Sequence, residues 1–137
     1  MSTQRMLTVI PDQSGEPSQV PDEFGVPLDI TPDPLQMVDL RPKVIDALRR
    51  VFDPEIPVNI YDLGLVYDVL VDADRNVGVR MTLTAPACPA AQTLPGEARD
   101  AAKGVDGVAS ARVEIVFDPP WSMERMSEAA KLQLGLL

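Results

Sequence analysis

The chain has 137 residues, 45% of them apolar, which gives room and material for one domain with a core. With 12 basic against 21 acidic residues and a formal charge of -9, binding to a nucleic-acid backbone or an anionic membrane has no electrostatic support. Proteins are therefore the expected partners. One cysteine excludes an internal disulfide, and the absence of histidine removes the usual activating base of a thiol hydrolase.

The amino terminus, MSTQRMLTVIPDQSGEPSQ, has no basic segment followed by a long apolar one. No stretch approaches the roughly 20 apolar residues of a membrane span, so a cytoplasmic protein is expected. Residues 1–40 hold one basic residue, Arg5, against seven acidic ones, together with six of the 14 prolines. PDQSGEPSQVPDEFGVPLDITPDP sustains neither a helical nor a strand period, so residues 1–40 read as an acidic, proline-rich arm, extended or disordered and dispensable for stability. The competing reading is an ordered strap, with Phe24, Val26, Leu28 and Ile30 packed across the domain.

The folded domain, residues 41–137, is expected to begin with a helix at Arg41. Pro42 suits a first helical position, and Val44, Ile45, Leu48, Val51 and Phe52 recur at helical spacing. Pro54 ends that helix by excluding Asp53 from helical geometry. LVYDVLV and VGVRMTLT read as strands joined by the turn DADRN, with Val77, Val79, Met81 and Leu83 on one face. PAAQTLPGEARDAAKG forms helix up to Gly104, with Pro95 and Gly96 either kinking or dividing it. SARVEIVF is a third strand carrying Ala111, Val113, Ile115 and Phe117 on one side. SMERMSEAAKLQLG is a last helix, capped by Ser122 and ended by Gly135. The order α-β-β-α-β-α predicts an α/β (α+β) sandwich, a small mixed three-stranded sheet with helices packed on one face.

Two places carry chemistry. Cys88 lies between Pro86 and Pro89, where alternation gives way to helix. If Pro89 is the first helical residue, the sulfur sits by the free amides and positive dipole end of the helix, which favours thiolate. The alternative is a small buried hydrophobe. In FDPEIPVNIYDLGLVY, Asp53, Glu55, Asn59 and Asp62 crowd a largely apolar loop, where they serve either as turn residues or as groups around a metal or thiol. An iron-sulfur or zinc site needs about four soft ligands. One thiolate cannot complete it, so any cluster would be shared with a second copy in a homodimer, a partner or a client protein.

FDPEIPVNIYDLGLVY, then MTLTAPACP after a hairpin, then VFDPPWSMERMSEAAKLQLG resemble, in order and spacing, the three signature blocks of the metal-sulfur cluster biosynthesis family, the SufT- and PaaD-like proteins with a domain of unknown function 59. The resemblance runs from Pro42 to Gly135 and is closest to the SufT type, since the cysteine-bearing tail of the phenylacetate-pathway relatives is missing. It implies a non-enzymatic accessory factor that helps assemble iron-sulfur clusters or deliver them to client apoproteins, in company with other assembly proteins. It implies one functional thiol, matched by Cys88, as a transient metal ligand. It also implies acidic loop positions at Asp53 and Glu55 and a hydroxyl pair at Thr82 and Thr84. No stable cofactor is implied, only an iron-sulfur cluster or iron in transit. No G-x-x-x-x-G-K-[ST] occurs, so the ATPase of larger relatives is not implied. A thiol-dependent redox protein and a non-catalytic interaction module are the alternatives.

Overall fold

The computed structural model describes residues 20–54, 56–84 and 93–136. Its regular elements follow the expected order: α1 (Pro34–Leu48), β1 (Val66–Val71), β2 (Asn76–Met81), α2 (Leu94–Lys103), β3 (Ser110–Ile115) and α3 (Glu128–Gln133). The sheet order is β1-β2-β3, antiparallel between β1 and β2 and parallel between β2 and β3. A parallel neighbour cannot be reached by a tight turn, and α2 supplies the crossover.

The alternation of β2 decides the layers. Val77, Val79 and Met81 are fully buried and share a face with their partners Val71 and Val69 on β1 and Ala111, Val113 and Ile115 on β3. Against that face α1 lays Leu40, Val44 and Leu48, and α2 lays Leu94, Ala98 and Ala102. On the opposite face Arg80 bridges the three strands, donating from Nη1 to Asp68 at 2.8 Å and from Nε to Glu114 at 3.1 Å. The bond to Glu114 is the main cause raising the Arg80 pKa, so the cation is held charged.

The amino-terminal part corrects the sequence reading. The first helix begins at Pro34, not near Arg41: Asp33 caps it, its carboxylate accepting from the Gln36 amide at 3.0 Å, and Pro34 takes the first position. Pro42 therefore lies inside the helix, where its missing N–H leaves the Val38 carbonyl without an intrahelical donor. Val38 is 79% exposed, so that carbonyl lies on the solvated side of α1. Of the two readings of the preceding segment, residues 20–33 follow the strap. Phe24, 4% exposed, joins the core under the Arg99 guanidinium, which lies 5.6 Å from its ring centre. The Leu28 amide donates to Glu114 at 3.1 Å, and the Asp33 amide donates to the Val71 carbonyl at 2.8 Å.

Between those two anchors Leu28 and Ile30 cross β2 at Gly78. A Cβ on Gly78 would stand 3.0 Å from the Leu28 Cδ1 and 3.1 Å from the Ile30 Cδ1, so the strap lies as low as it does because that residue has no side chain.

Two helix ends also differ from expectation. Pro95 stands in the first turn of α2, where its missing amide costs nothing, so the described helix is neither kinked nor divided there. The last helix is in two pieces, a 3-10 turn at Met123–Arg125 and then α3, because extended Met126 turns its side chain into the core. The α3 cap is Ser127, whose Oγ accepts from the Ala130 amide at 3.1 Å, and Ser122 makes no side-chain capping bond. Gly135, at φ 76°, follows α3 as expected.

Phe24→Ala should cost about 3 kcal/mol and lower the melting temperature by roughly 10 °C, where a dispensable arm would give no change. A second outcome concerns the β1–β2 turn. There the Asn76 amide, at 2.8 Å from Asp72 Oδ1, is the largest cause holding the Asp72 carboxyl below its ordinary pKa. A depressed carboxyl contributes stability above its unfolded value of about 3.9 and loses it as pH falls through the folded value. The gap in melting temperature between wild type and Asp72→Asn should accordingly be present at neutral pH and close below about pH 4.

Candidate functional site

Three segments distant in sequence meet at the end of the sheet where β2 and β3 finish. The first is the loop from α1 to β1. Val51, Val58, Ile60, Leu63 and Leu65 are buried in it, and the Ile60 amide donates back to the Val51 carbonyl at 2.8 Å. Burial of these five apolar side chains fixes the loop and aims its polar residues.

Asp53 is 5% exposed, and its carboxylate accepts from the Ile56 amide at 3.2 Å, closing a turn over Pro54. Asn59 pairs with Phe52 across an isolated bridge. Its side chain accepts from the Asp62 amide at 2.8 Å and donates to Asp62 Oδ2 at 2.9 Å. The other Asp62 oxygen stands 3.9 Å from Arg49 Nε, and the Arg49 guanidinium lies 4.9 Å from the centre of the Tyr61 ring. Asp53, Asn59 and Asp62 thus act in turn chemistry, and Glu55 lies outside the described residues.

The second segment leaves β2. The Thr82 amide donates to the Leu65 carbonyl at 2.8 Å, which joins the exit of β2 directly to the acidic loop. Thr82 is fully buried, its hydroxyl 3.4 Å from the Leu83 carbonyl, and Thr84 is half-buried. Residues 85–92, Cys88 among them, lie outside the described residues. That stretch joins Thr84, at this end of the sheet, to the start of α2.

The third segment follows β3, and none of its residues is a site residue expected from the sequence. The Val116 amide donates to the Met81 carbonyl at 2.9 Å, Trp121 Nε1 to the Leu63 carbonyl at 2.8 Å, and the Ser127 amide to the Asp62 carbonyl at 2.8 Å. Tyr67 donates its hydroxyl to the Pro119 carbonyl at 2.8 Å, and the Arg125 guanidinium lies 4.5 Å from the Tyr67 ring centre. The one signal for this docking in the sequence was the single tryptophan in the DPPW block. Gly64 makes it fit: it sits at φ 88°, and a Cβ there would stand 2.7 Å from the Arg125 carbonyl carbon.

Among the described residues no group of three or more His, Cys, Asp or Glu side chains is arranged to hold a metal ion. No helix among them is long and apolar enough to cross a membrane.

Gly64→Ala should therefore destabilise the protein by about 2 kcal/mol or more, since strain at positive φ adds to a backbone clash. Trp121 fluorescence should shift to the red in the folded variant as the indole leaves Leu63. An unchanged spectrum and melting temperature would mean that the two loops do not depend on each other.

Comparison with known proteins follows the same residues. A protein of Porphyromonas gingivalis named Fe-S protein maturation auxiliary factor is 50% identical over 94 residues, 69% of this chain and 90% of that protein. The Fe-S protein maturation auxiliary factor YitW of Bacillus subtilis is 41% identical over 97 residues, 71% of this chain and 95% of its own. The crystal structure of a domain of unknown function 59 from Bacillus anthracis superimposes with a TM-score of 0.71 at 37% identity, covering 77% of this chain and all of that one. Residues 41–115, from within α1 to the end of β3, match the family described as iron-sulfur cluster assembly protein. With these relatives, that match places the chain in the iron-sulfur cluster assembly protein family.

Proposed function

We propose that this protein is an accessory factor, without catalytic turnover of its own, that helps assemble iron-sulfur clusters or deliver them to client apoproteins. The observation that carries the proposal is the convergence of the acidic loop, the exit of β2 and the post-β3 segment at one end of the sheet, tied by the Leu65–Thr82 bond. The names of the relatives, maturation auxiliary factors, support the same reading.

In this reading Cys88 is the working group. Its thiolate is a soft ligand for iron, and one thiolate holds a cluster only in company. The remaining ligands come from an assembly partner, the client or a second copy of the chain, so the cluster is cargo in transit. Thr82 and Thr84 belong to the stem from which the thiol-bearing segment leaves. Asp53, Asn59 and Asp62 keep the acidic loop rigid, and Glu55, outside the described residues, is the acidic position that this reading assigns to a hard metal ion or a proton. With no histidine in the chain, thiol hydrolase chemistry has no imidazole base.

In cells that lack the wild-type chain, Cys88→Ser should leave the activity of an iron-sulfur enzyme at the level of the deletion. The purified variant should melt with wild type. Full complementation by Cys88→Ser would overturn the proposal and leave a pure interaction module.

A further inference from the structure

The end of the sheet that bears the proposed thiol site has a composition unlike the rest of the molecule. Of the six aromatic residues of the chain, Phe52, Tyr61, Phe117 and Trp121 belong to the segments that meet there, Tyr67 stands at the start of β1 beside them, and Phe24 alone lies in the strap. Phe52 is 51% exposed and Met123 53% exposed on the same segments. Aromatic residues, methionine and arginine are the types enriched where proteins recognise one another.

Within this end a groove of about 360 Å³ opens between Tyr61, Val66, Tyr67 and Arg125, with Asp62, Gly64 and Ser127 completing its lining. The Asp62 carboxylate on that lining already has partners, Asn59 at 2.9 Å and Arg49 at 3.9 Å. Its cation is placed before any partner arrives. Tyr67 is anchored through its hydroxyl to the Pro119 carbonyl, and Arg125 lies on the ring at 4.5 Å, on a backbone held close over Gly64. Arg49, the neighbouring stacked cation, is matched by Asp46 at 3.6 Å and Asp62 at 3.9 Å. Arg125 takes part in none of the ion pairs among the described residues. Arg41, Arg50, Arg75 and Arg112 are likewise in none, and Arg125 differs from them in lining a groove between two tyrosines. In a chain of net charge -9 an acidic partner is repelled over most of the surface, and an arginine seated in a groove is where such a partner can be accepted.

We infer that the Tyr67–Arg125 groove docks a short, extended, carboxylate-bearing segment of the client protein and so orients the client beside the thiol end. A guanidinium presents a planar fork that fits a carboxylate bidentately, which an ammonium cannot match. The groove also carries Val66 and the parts of the Tyr61 and Tyr67 rings that the two stacked guanidinium groups leave open, which receive apolar neighbours of the acidic residue. A groove of this size takes a few side chains rather than a whole interface, which suits a factor that must release its client. The inference rests on the proposed function for the identity of the partner, but the groove does not need the thiol to bind.

The test uses two labelled ten-residue peptides, one alternating glutamate with leucine and one alternating glutamine with leucine, followed by fluorescence anisotropy at low salt. Wild type should bind the glutamate peptide about tenfold more tightly than the glutamine one. Arg125→Glu should abolish that preference, and Arg125→Lys should retain only part of it. Arg112→Glu, which makes the same change in net charge on exposed β3, should keep the full preference. Cys88→Ser should bind the glutamate peptide as wild type does, so failure of the thiol proposal leaves this result intact and failure of the groove leaves the complementation result intact. Equal binding of both peptides by wild type, a preference unchanged in Arg125→Glu, or an equal loss in Arg112→Glu would overturn the inference.

Discussion

Strand β2 must satisfy neighbours on four sides at once, and the rest of the molecule is arranged around that requirement. Its edges pair with β1 and β3. One face presents Val77, Val79 and Met81 to the helices, and the other presents Gly78 to the strap. A strand enclosed in this way has no freedom to slip, because a shift of one residue would turn the valines outward and bring a side chain under Leu28. Fixing β2 also fixes the point at which the chain leaves it. The Thr82 amide meets the Leu65 carbonyl, and the thiol-bearing segment departs from a buried, hydrogen-bonded stem.

Interactions close in sequence were legible, and those that cross the domain were not. The alternation in VGVRMTLT and SARVEIVF reports burial of one face, which is why β2, β3 and their inward residues follow from the sequence. The start of α1 was missed because Pro34 and Pro42 both suit a first helical position. What distinguishes them is the Asp33 cap and the solvated side of the helix on which the gap at Pro42 falls. The strap was only half legible. Its apolar residues were visible, but their landing place is a glycine on a strand some 50 residues later. The split before α3 likewise depends on where Met126 finds room in the core.

The candidate site shows the same division. Asp53 before Pro54, and Asn59 three residues before Asp62, are local turn patterns, and the structure uses them as turns. Trp121 on the Leu63 carbonyl and Arg125 over Tyr67 span 58 residues each, and no periodicity announces them. They determine how the post-β3 segment closes the site, so the aromatic side of this end became visible only in the fold.

The occupation of the loop polar groups bears on how such a site can act. A carboxylate that already holds a backbone amide, a side-chain amide or a guanidinium is poorly placed to leave it for a metal, because the abandoned donor loses its partner. Asp62 has one oxygen on Asn59 and the other beside Arg49, and Asp53 holds the Ile56 amide. Their part is to keep the loop stiff. One cysteine in the chain falls short of the roughly four soft ligands that a complete iron-sulfur site requires. Arg125 contrasts with these carboxylates: stacked on Tyr67 and in no ion pair among the described residues, it is a charged group at this end of the sheet that the loop does not consume, and for that reason the inferred docking turns on it.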